Sequence, residues 1–351
     1  MSAVEPLRMA VIGFGKLGLL HAALANAVPG VRLAAVVDST PMMLDALKAY
    51  MPDVRTYNDY RVLLRDGGID AALIATPTQL HVPIAVDCVA AGVPIFIEKP
   101  LSVSGAQARS LIEALRARPV VNMVGYMGRY IDTFAKAKEI VASGALGKLQ
   151  MFRSSMYIGQ LFKPGKGWRY DKNVSGGGVL ITQNTHVIDK LLWMFGEVED
   201  VNGRTGALYS TGVEDYCHAV LRFRSGLLGY LDASWSARHY RTPTISIHVQ
   251  GVNGTLDVDD DHVRLFLDKP FASFAEGWSS WRKPDLYRGV SVDIGGPQYT
   301  IQMEKFVAAI RSGPRIECDV ASAQAVQLVV DAIYRSADAN GITVKPTAMQ
   351  T

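Results

Sequence analysis

The chain has 351 residues, 49% of them hydrophobic and 20% charged, with a formal net charge of +3, and that length carries a prior of about two domains around sizeable cores. So small a net charge gives no basis for nucleic acid or an anionic membrane as partner. No apolar run reaches the ~18 residues of a membrane span, and the N-terminal MSAVEPLR lacks a charged-then-apolar signal. Three scattered cysteines, Cys88, Cys217 and Cys318, and seven histidines without ligand spacing argue against a disulfide framework or a metal site, so a cytoplasmic, metal-free enzyme is expected.

The first predicted strand, beginning at Leu7, runs through Met9-Ala10-Val11-Ile12 into Gly13, Gly15 and Gly18, a G-x-G-x-x-G. Apolar residues resume at helical spacing in the predicted helix Lys16–Ala27. Strand, glycine turn and helix in that order are the context a dinucleotide fingerprint requires. Gly13 permits the tight turn, Gly15 the approach of a pyrophosphate, and Gly18 close packing of helix on strand. The unpaired amides of the helix start would hold the phosphates. A second strand, Val31–Val37, ends in Asp38, twenty residues after Gly18, where a carboxylate accepts from an adenosine ribose. No Arg or Lys occurs from Ser39 to Leu47 to meet a 2′-phosphate, which favours NAD over NADP.

Predicted elements then alternate: helix Pro41–Tyr50, strand Val54–Thr56, helix Tyr57–Leu64, strand Ala71–Ala75, helix Leu80–Ala91, strand Pro94–Ile97, helix Ser104–Ala117 and strand Val120–Gly125. Alternation of this kind means βαβ units and a doubly wound parallel sheet of Rossmann type over residues 1–125. Ligands bind beyond the carboxyl ends of such strands. The loops of interest are therefore Gly13–Lys16, Asp38–Thr40, Ala75–Leu80 and Glu98–Leu101. They give a candidate cofactor set of Gly13, Phe14, Gly15, Lys16, Leu17, Asp38, Ser39, Thr76, Pro77, His81, Glu98 and Lys99. Thr76 and Pro77 would lie beside the nicotinamide half, and His81 reads as a first-turn residue sooner than a catalyst. Glu98-Lys99-Pro100 follows a buried strand. Pro100 biases Lys99 towards an extended backbone and allows a cis bond, which would turn the lysine into the cleft. The alternative is a surface salt-bridged pair.

From residue 126 to 351 the pattern changes to an α+β domain. Helix Phe134–Ser143 and strand Leu149–Met156 lead to antiparallel strands at Val198–Leu208, Asp215–Arg224, Leu227–Ala237, Ile245–Gly251, Gly254–Asp257 and Val263–Leu267. Helices Gln302–Ser312 and Ser322–Asn340 close the chain. Alternate apolar residues such as Tyr230, Trp235 and Ile247 suggest a sheet face packed against another subunit. The long polar loop Gly159–Ser175 carries Trp168-Arg169, either a ligand contact or a domain-interface plug.

Gly176-Gly177-Gly178 precedes a largely apolar helix, VLITQNTHVIDKLLWMF. Glycines start a helix poorly unless something approaches the backbone closely. One stripe of that helix, Thr182, His186, Asp189 and Trp193, is polar or amphipathic, and shares a face by its 4-3-4 spacing. His186, oriented by Asp189, is a candidate general base, against the alternative of a satisfied core histidine.

Taken together, GFGKLG with Asp38, Glu98-Lys99-Pro100, Trp168-Arg169 and Gly-Gly-Gly followed by H-x-x-D resemble the Gfo/Idh/MocA oxidoreductases, the family of glucose–fructose oxidoreductase and inositol dehydrogenase, over Leu7 to Pro346. The resemblance implies a Rossmann domain plus a domain with a large open-faced, mostly antiparallel sheet, and homodimers or homotetramers built through that sheet. It implies hydride transfer between NAD(P) and a secondary alcohol or ketone of a sugar, sugar acid or cyclitol. By position it makes Lys99 and His186 catalytic and adds Trp168 and Arg169 to the cofactor contacts. Tyr126, Tyr157, Arg169, Thr182, Gln183 and Asn184 are the candidate substrate contacts. The chain departs from the family at Thr182, where Asp is frequent, at Asn184, where Gly is frequent, and around Arg129, where an Arg-Arg pair is common. Two alternatives remain: a non-sugar substrate such as a dihydrodiol or imine, and a catalytically silent NAD-binding sensor. The sensor is disfavoured because Lys99 and His186 are both present.

Overall fold

The computed structural model of the chain describes residues 5–313 and 315–347; the ends of the expected domains, and the first half of the segment read for a signal, lie outside them. The chain packs into two units. The first takes the chain up to Met127 together with Gly289–Gln324, and the second takes Gly128–Arg288 with the chain from Ala325.

In the first unit β1 (Leu7–Ile12), α1 (Lys16–Ala27), β2 (Val31–Val37), α2 (Pro41–Tyr50), β3 (Arg55–Tyr57), α3 (Tyr60–Asp66), β4 (Ala71–Ile74), α4 (His81–Ala90), β5 (Ile95–Ile97), α5 (Gly105–Ala117) and β6 (Asn122–Val124) alternate. The six strands lie in the order β3-β2-β1-β4-β5-β6, every pair parallel. Continuous apolar strands suit a sheet buried on both faces: Met9, Val11, Ala72, Leu73, Ile95 and Phe96 are fully enclosed. The order reverses between β1 and β4, so the loops after those two strands meet at the topological switch point. Helix α3 starts three residues later than expected because Asp59 caps it, accepting from the Arg61 amide at 2.9 Å.

The second unit begins with α6 (Asp132–Ser143) and β7 (Leu149–Tyr157). Next come α7 (Lys172–Ser175), α8 (Thr185–Phe195), β8 (Val198–Gly206), β9 (Tyr216–Phe223) and β10 (Leu228–Ser234). Strands β11 (Thr244–Gly251), β12 (Gly254–Asp259), β13 (His262–Leu267) and β14 (Gly277–Arg282) follow, then α9 (Lys283–Leu286). Its eight-stranded sheet has the order β14-β13-β12-β11-β7-β10-β9-β8. All its pairs are antiparallel except the central β7–β10 pair. Helices α6 and α8 lie on one face, against β12, β13 and β7. The inward residues of that face, among them Phe152, Leu231, Val249, Leu256 and Leu265, are fully buried. The other face is open and polar, presenting Arg153, Tyr230, Asp232, His248, Asp257 and Arg264.

Three expectations change. Trp235 and Ile247 are not on the open face: both are buried, because side chains alternate along a strand and Ile247 sits in the inward phase of β11. Of the three residues named, Tyr230 alone is exposed, at 54%. Strand β14, which the pattern did not announce, pairs with β13; its only large apolar residues, Trp278 and Trp281, stand three apart, out of the period of two. Lastly, not all of the chain after residue 125 belongs with the second sheet. α10 (Pro297–Ser312) packs on α1, Phe306 meets Phe96 edge-on at 5.7 Å, and Val124 donates to Cys318 O at 2.7 Å. The short strand β6 would otherwise leave an uncovered edge. α11 (Val320–Asp338) then carries the chain into the second unit.

Candidate active site

In the first unit each strand of the sheet centre hands its last hydrogen bond to the loop beyond it. Gly13 N donates to Val37 O, Ala75 N to Ile12 O and Glu98 N to Ile74 O, each at 2.8 Å. Gly13 has φ +92°, and a Cβ there would stand 2.8 Å from the Ala75 and Thr76 backbone; one on Gly18 would overlap Gly13 O. Only glycine permits that turn. Gly15 is different, because nothing lies within 4 Å of where its Cβ would be. It heads α1 without any side chain capping the helix, leaving open space beside unclaimed helix amides, which is what a pyrophosphate requires. Asp38 Oδ2 accepts from Phe14 N at 2.6 Å and Oδ1 from Thr40 N at 2.8 Å. The carboxylate is thereby fixed at the rim of the glycine turn, with lone pairs remaining for a ribose. The residues present thus fit a dinucleotide. Lys16, Leu17 and Ser39 belong to the same two loops, and the buried Thr76 hydroxyl beside Pro77 has no partner among the described residues.

Behind these loops lies a buried polar layer. His81 is 1% exposed, with Nδ1 2.8 Å from Pro100 O and Nε2 2.9 Å from Thr76 O. Both ring nitrogens are engaged by the main chain, so His81 fastens the Thr76 loop to the Lys99-Pro100 loop. Burial pulls its pKa below the ordinary histidine value, against the pull of those two carbonyls. Glu98 is likewise enclosed: Oε1 lies 2.7 Å from His21 Nε2, and Oε2 accepts from Lys99 N at 3.1 Å. Burial pushes the Glu98 carboxyl up, but His21 and Lys99 outweigh it and hold the pKa below the usual range. Glu98-Lys99 is therefore no surface pair. Glu98 points inward and Lys99, half-buried, follows it into a cis bond with Pro100. Tyr126, the last candidate in this unit, is 1% exposed.

The second unit holds the other candidates. Where one continuous helix was expected after the glycine run, Leu180–Asn184 forms a π-helical turn that leads into α8; such insertions recur at functional sites. Thr182 Oγ1 donates to Gly178 O at 2.6 Å, Gln183 is half-buried, and His186 lies half-buried in the first turn of α8. Asn184 is fully buried, and neither polar atom of its carboxamide has a partner among the described residues. Asp189, expected to orient His186, gives both oxygens to Arg129, at 2.6 Å and 2.9 Å. Burial raises the Asp189 pKa and the guanidinium pulls it back. Tyr157, at the end of β7, faces the Tyr240 ring at 5.2 Å. In the long loop the Arg169 guanidinium stacks on Trp168 at 4.5 Å, and Tyr170 beside them meets Trp235 edge-on.

Three residues of this framework had no local signal: His21, Arg129 and Glu214, whose carboxylate accepts from the amides of Gly178 and Leu180. Their partners lie 77, 60 and 36 residues away in sequence, beyond the reach of any spacing rule.

Residues 7–126 match the family model described as oxidoreductase family, NAD-binding Rossmann fold, and residues 134–257 match the GFO/IDH/MocA C-terminal domain. The chain is 26% identical to a levoglucosan dehydrogenase of Pseudarthrobacter phenanthrenivorans, covering 95% of this chain and 97% of that one. It is 29% identical to a scyllo-inositol 2-dehydrogenase (NAD(+)) of Bacillus subtilis, over 88% and 87% of the two chains. Among solved structures, a levoglucosan dehydrogenase in complex with NADH superposes with a TM-score of 0.88 at 23% identity, over 98% of this chain and all of that one; that likeness concerns the fold.

Proposed function

The chain belongs to the GFO/IDH/MocA family of NAD-binding oxidoreductases, and from that premise we propose that it transfers a hydride between NAD and a secondary alcohol or ketone of a sugar, sugar acid or cyclitol. The similar proteins named for levoglucosan and scyllo-inositol support a polyol substrate. The observation that carries the reading is the glycine turn with its rim carboxylate. Gly15 leaves open space at an uncapped helix start, and Asp38 is held there by the Phe14 amide. NAD over NADP follows from Asp38 and from the lack of a cation in the residues after it.

In this mechanism Gly13, Phe14, Gly15, Lys16 and Leu17 hold the pyrophosphate, Asp38 and Ser39 the adenosine ribose, and Thr76 and Pro77 the nicotinamide side, with Trp168 and Arg169 as further contacts. Bound NAD supplies the hydride acceptor. His186 removes the hydroxyl proton as the carbinol carbon gives up its hydride, so the alcohol is oxidised to a ketone and the proton rests on the imidazole. The Lys99 ammonium donates to the developing alkoxide, where a fixed cation in a water-poor site is most effective. Tyr126, Tyr157, Thr182, Gln183 and Asn184 orient the polyol; the unpartnered carboxamide of Asn184 offers both a donor and an acceptor. The open sheet face, polar around the exposed Tyr230, would pair with a second copy, and light scattering of the wild type against Tyr230→Arg tests that.

A panel of sugars, sugar acids and inositols with NAD and NADP, followed at the reduced-nicotinamide absorbance, tests the reaction. His186→Ala, with NAD binding intact, and Lys99→Ala should each lower kcat by about 10²–10⁴-fold, as expected for groups that handle the proton. Near-normal turnover in His186→Ala would remove the assignment.

A further inference from the structure

The helical segment that carries Thr182, Asn184 and His186 has no side chain of its own capping its start. One residue elsewhere does that work. Glu214, at the entry to β9, accepts from Gly178 N with Oε2 at 2.8 Å and from Leu180 N with Oε1 at 2.9 Å. Its carbonyl oxygen accepts from Val179 N at 3.1 Å. Three consecutive amides, which a helix start leaves without partners, are thus taken by a single residue 36 positions away. Negative charge is also electrostatically favoured at that end of a helix.

The contact is enforced from both sides. A Cβ on Gly178 would overlap the Glu214 carbonyl oxygen, and one on Gly177 would overlap the Tyr334 hydroxyl. The glycine run therefore exists to let β9 and α11 come this close. Tyr334 donates its hydroxyl to Glu214 Oε1 at 2.8 Å. Gly178 N, Leu180 N and the Tyr334 hydroxyl all donate to the carboxyl oxygens, the arrangement that suits a carboxylate; burial pushes the Glu214 pKa up and these donors pull it back. The neighbouring Asp215 points elsewhere. It accepts from the amides of Leu208 at 2.6 Å and Ser210 at 3.0 Å and from Trp235 Nε1 at 2.8 Å, and so anchors Glu214 to the sheet.

We propose that Glu214 is a positioning residue for the reaction: by holding the amides of Gly178, Val179 and Leu180 it fixes where His186, Thr182 and Asn184 stand. The inference rests on the reading of His186 as the proton acceptor. It predicts an effect on turnover distinct from an effect on the fold, because the glycine turn and Asp38, which carry the proposed NAD site, belong to the other unit.

Glu214→Gln keeps the shape, removes the charge and sets an NH2 against a backbone N–H. Expected are a fall in kcat of about 10- to 100-fold, the scale of a displaced reacting group, an unchanged KM for NAD, and faster amide exchange confined to residues 178–186. Glu214→Asp, which keeps the charge, should recover part of kcat. Tyr334→Phe, which removes one donor and leaves the acid in place, serves if the Gln variant does not fold; it should show the same local exchange and a smaller loss of kcat. Wild-type exchange over 178–186, or faster exchange there with unchanged kcat, overturns the proposal. So does a loss of activity that tracks a global rise in exchange, since that marks a merely structural role. If the wild type binds NAD yet oxidises no polyol, the reaction assigned above fails, and the exchange measurement still decides whether Glu214 holds the segment.

Discussion

His21 Nε2 lies 2.7 Å from Glu98 Oε1, both side chains almost wholly buried, so the helix that starts at the glycine turn is tied directly to the strand end that presents Lys99. Phe96 and Tyr299 close the ring face of His21 at centroid distances of 5.2 and 6.2 Å. Removing one partner of a buried pair leaves an uncompensated group, at a cost of about 3–5 kcal/mol. His21→Leu should therefore lower the unfolding free energy by that order, and Glu98→Leu in the same chain should restore most of it. Because the Glu98 pKa is held below its ordinary value of 4.5, its contribution is present above that pH and is lost as pH falls through the folded pKa. Urea unfolding at pH 7 and in the acid range below 4.5 should show a loss for the wild type that Glu98→Gln lacks.

Asp38 has two duties, fixing the Phe14 and Thr40 amides and, in the proposed role, accepting from the ribose of NAD. A hydrogen bond to a charged group contributes about 1.5–3 kcal/mol. Asp38→Ala should raise the Kd for NAD by about 10- to 100-fold on that scale and affect NADP less, since the 2′-phosphate no longer meets a carboxylate. Titration of both cofactors by nucleotide fluorescence checks this. Equal losses for the two would show that Asp38 only shapes the loop.

Arg129 and Asp189 form a bidentate pair, 5% and 1% exposed, that pins α8 to the chain segment entering the second unit. Arg129→Met should cost about 3–5 kcal/mol, whereas Arg129→Met with Asp189→Leu should lie close to the wild type, since buried pairs are often replaceable by apolar residues of similar volume. Denaturant midpoints of the three variants decide it. If the double variant is as unstable as the single one, the pair contributes more than mutual neutralisation.

What was legible in the chain was local. The glycine turn and Asp38 are tied by spacing, the six parallel strands by alternation, and Lys99 by its place after a strand. What was not legible depends on partners remote in sequence. Nothing near Asp189 announces Arg129, and nothing near Gly178 announces Glu214, although the three glycines record that something comes close. Strand β14 and the π-helical turn at Leu180–Asn184 escaped for other reasons. The two tryptophans of β14 are out of the period of two, and an apolar run reads as an ordinary helix whether or not one turn is π-helical. The helix α10 that returns to the first sheet reads as amphipathic wherever it packs, so its sequence does not say which sheet it covers.

Lys190, one turn beyond His186, is 1% exposed, with its ammonium over the Phe134 ring at 4.5 Å. Burial lowers its pKa from 10.5 to about 8, against the attraction of Asp260 and Asp189. The unfolded chain thus binds this proton more tightly than the folded one. Between pH ~8 and ~10.5 the unfolded state holds it while the folded state does not, so stability should rise with pH across that window. A shift from 10.5 to about 8 corresponds to a penalty on the order of 3 kcal/mol below pH ~8. Lys190→Met keeps the stem and removes the charge, so it should be more stable than the wild type at pH 7 and should lack the alkaline rise. Thermal midpoints at pH 7, 8.5 and 10 make the comparison. A wild type that gains nothing between pH 8.5 and 10, or a variant less stable than it at pH 7, would mean that Asp260 and Asp189 already offset the burial of the ammonium.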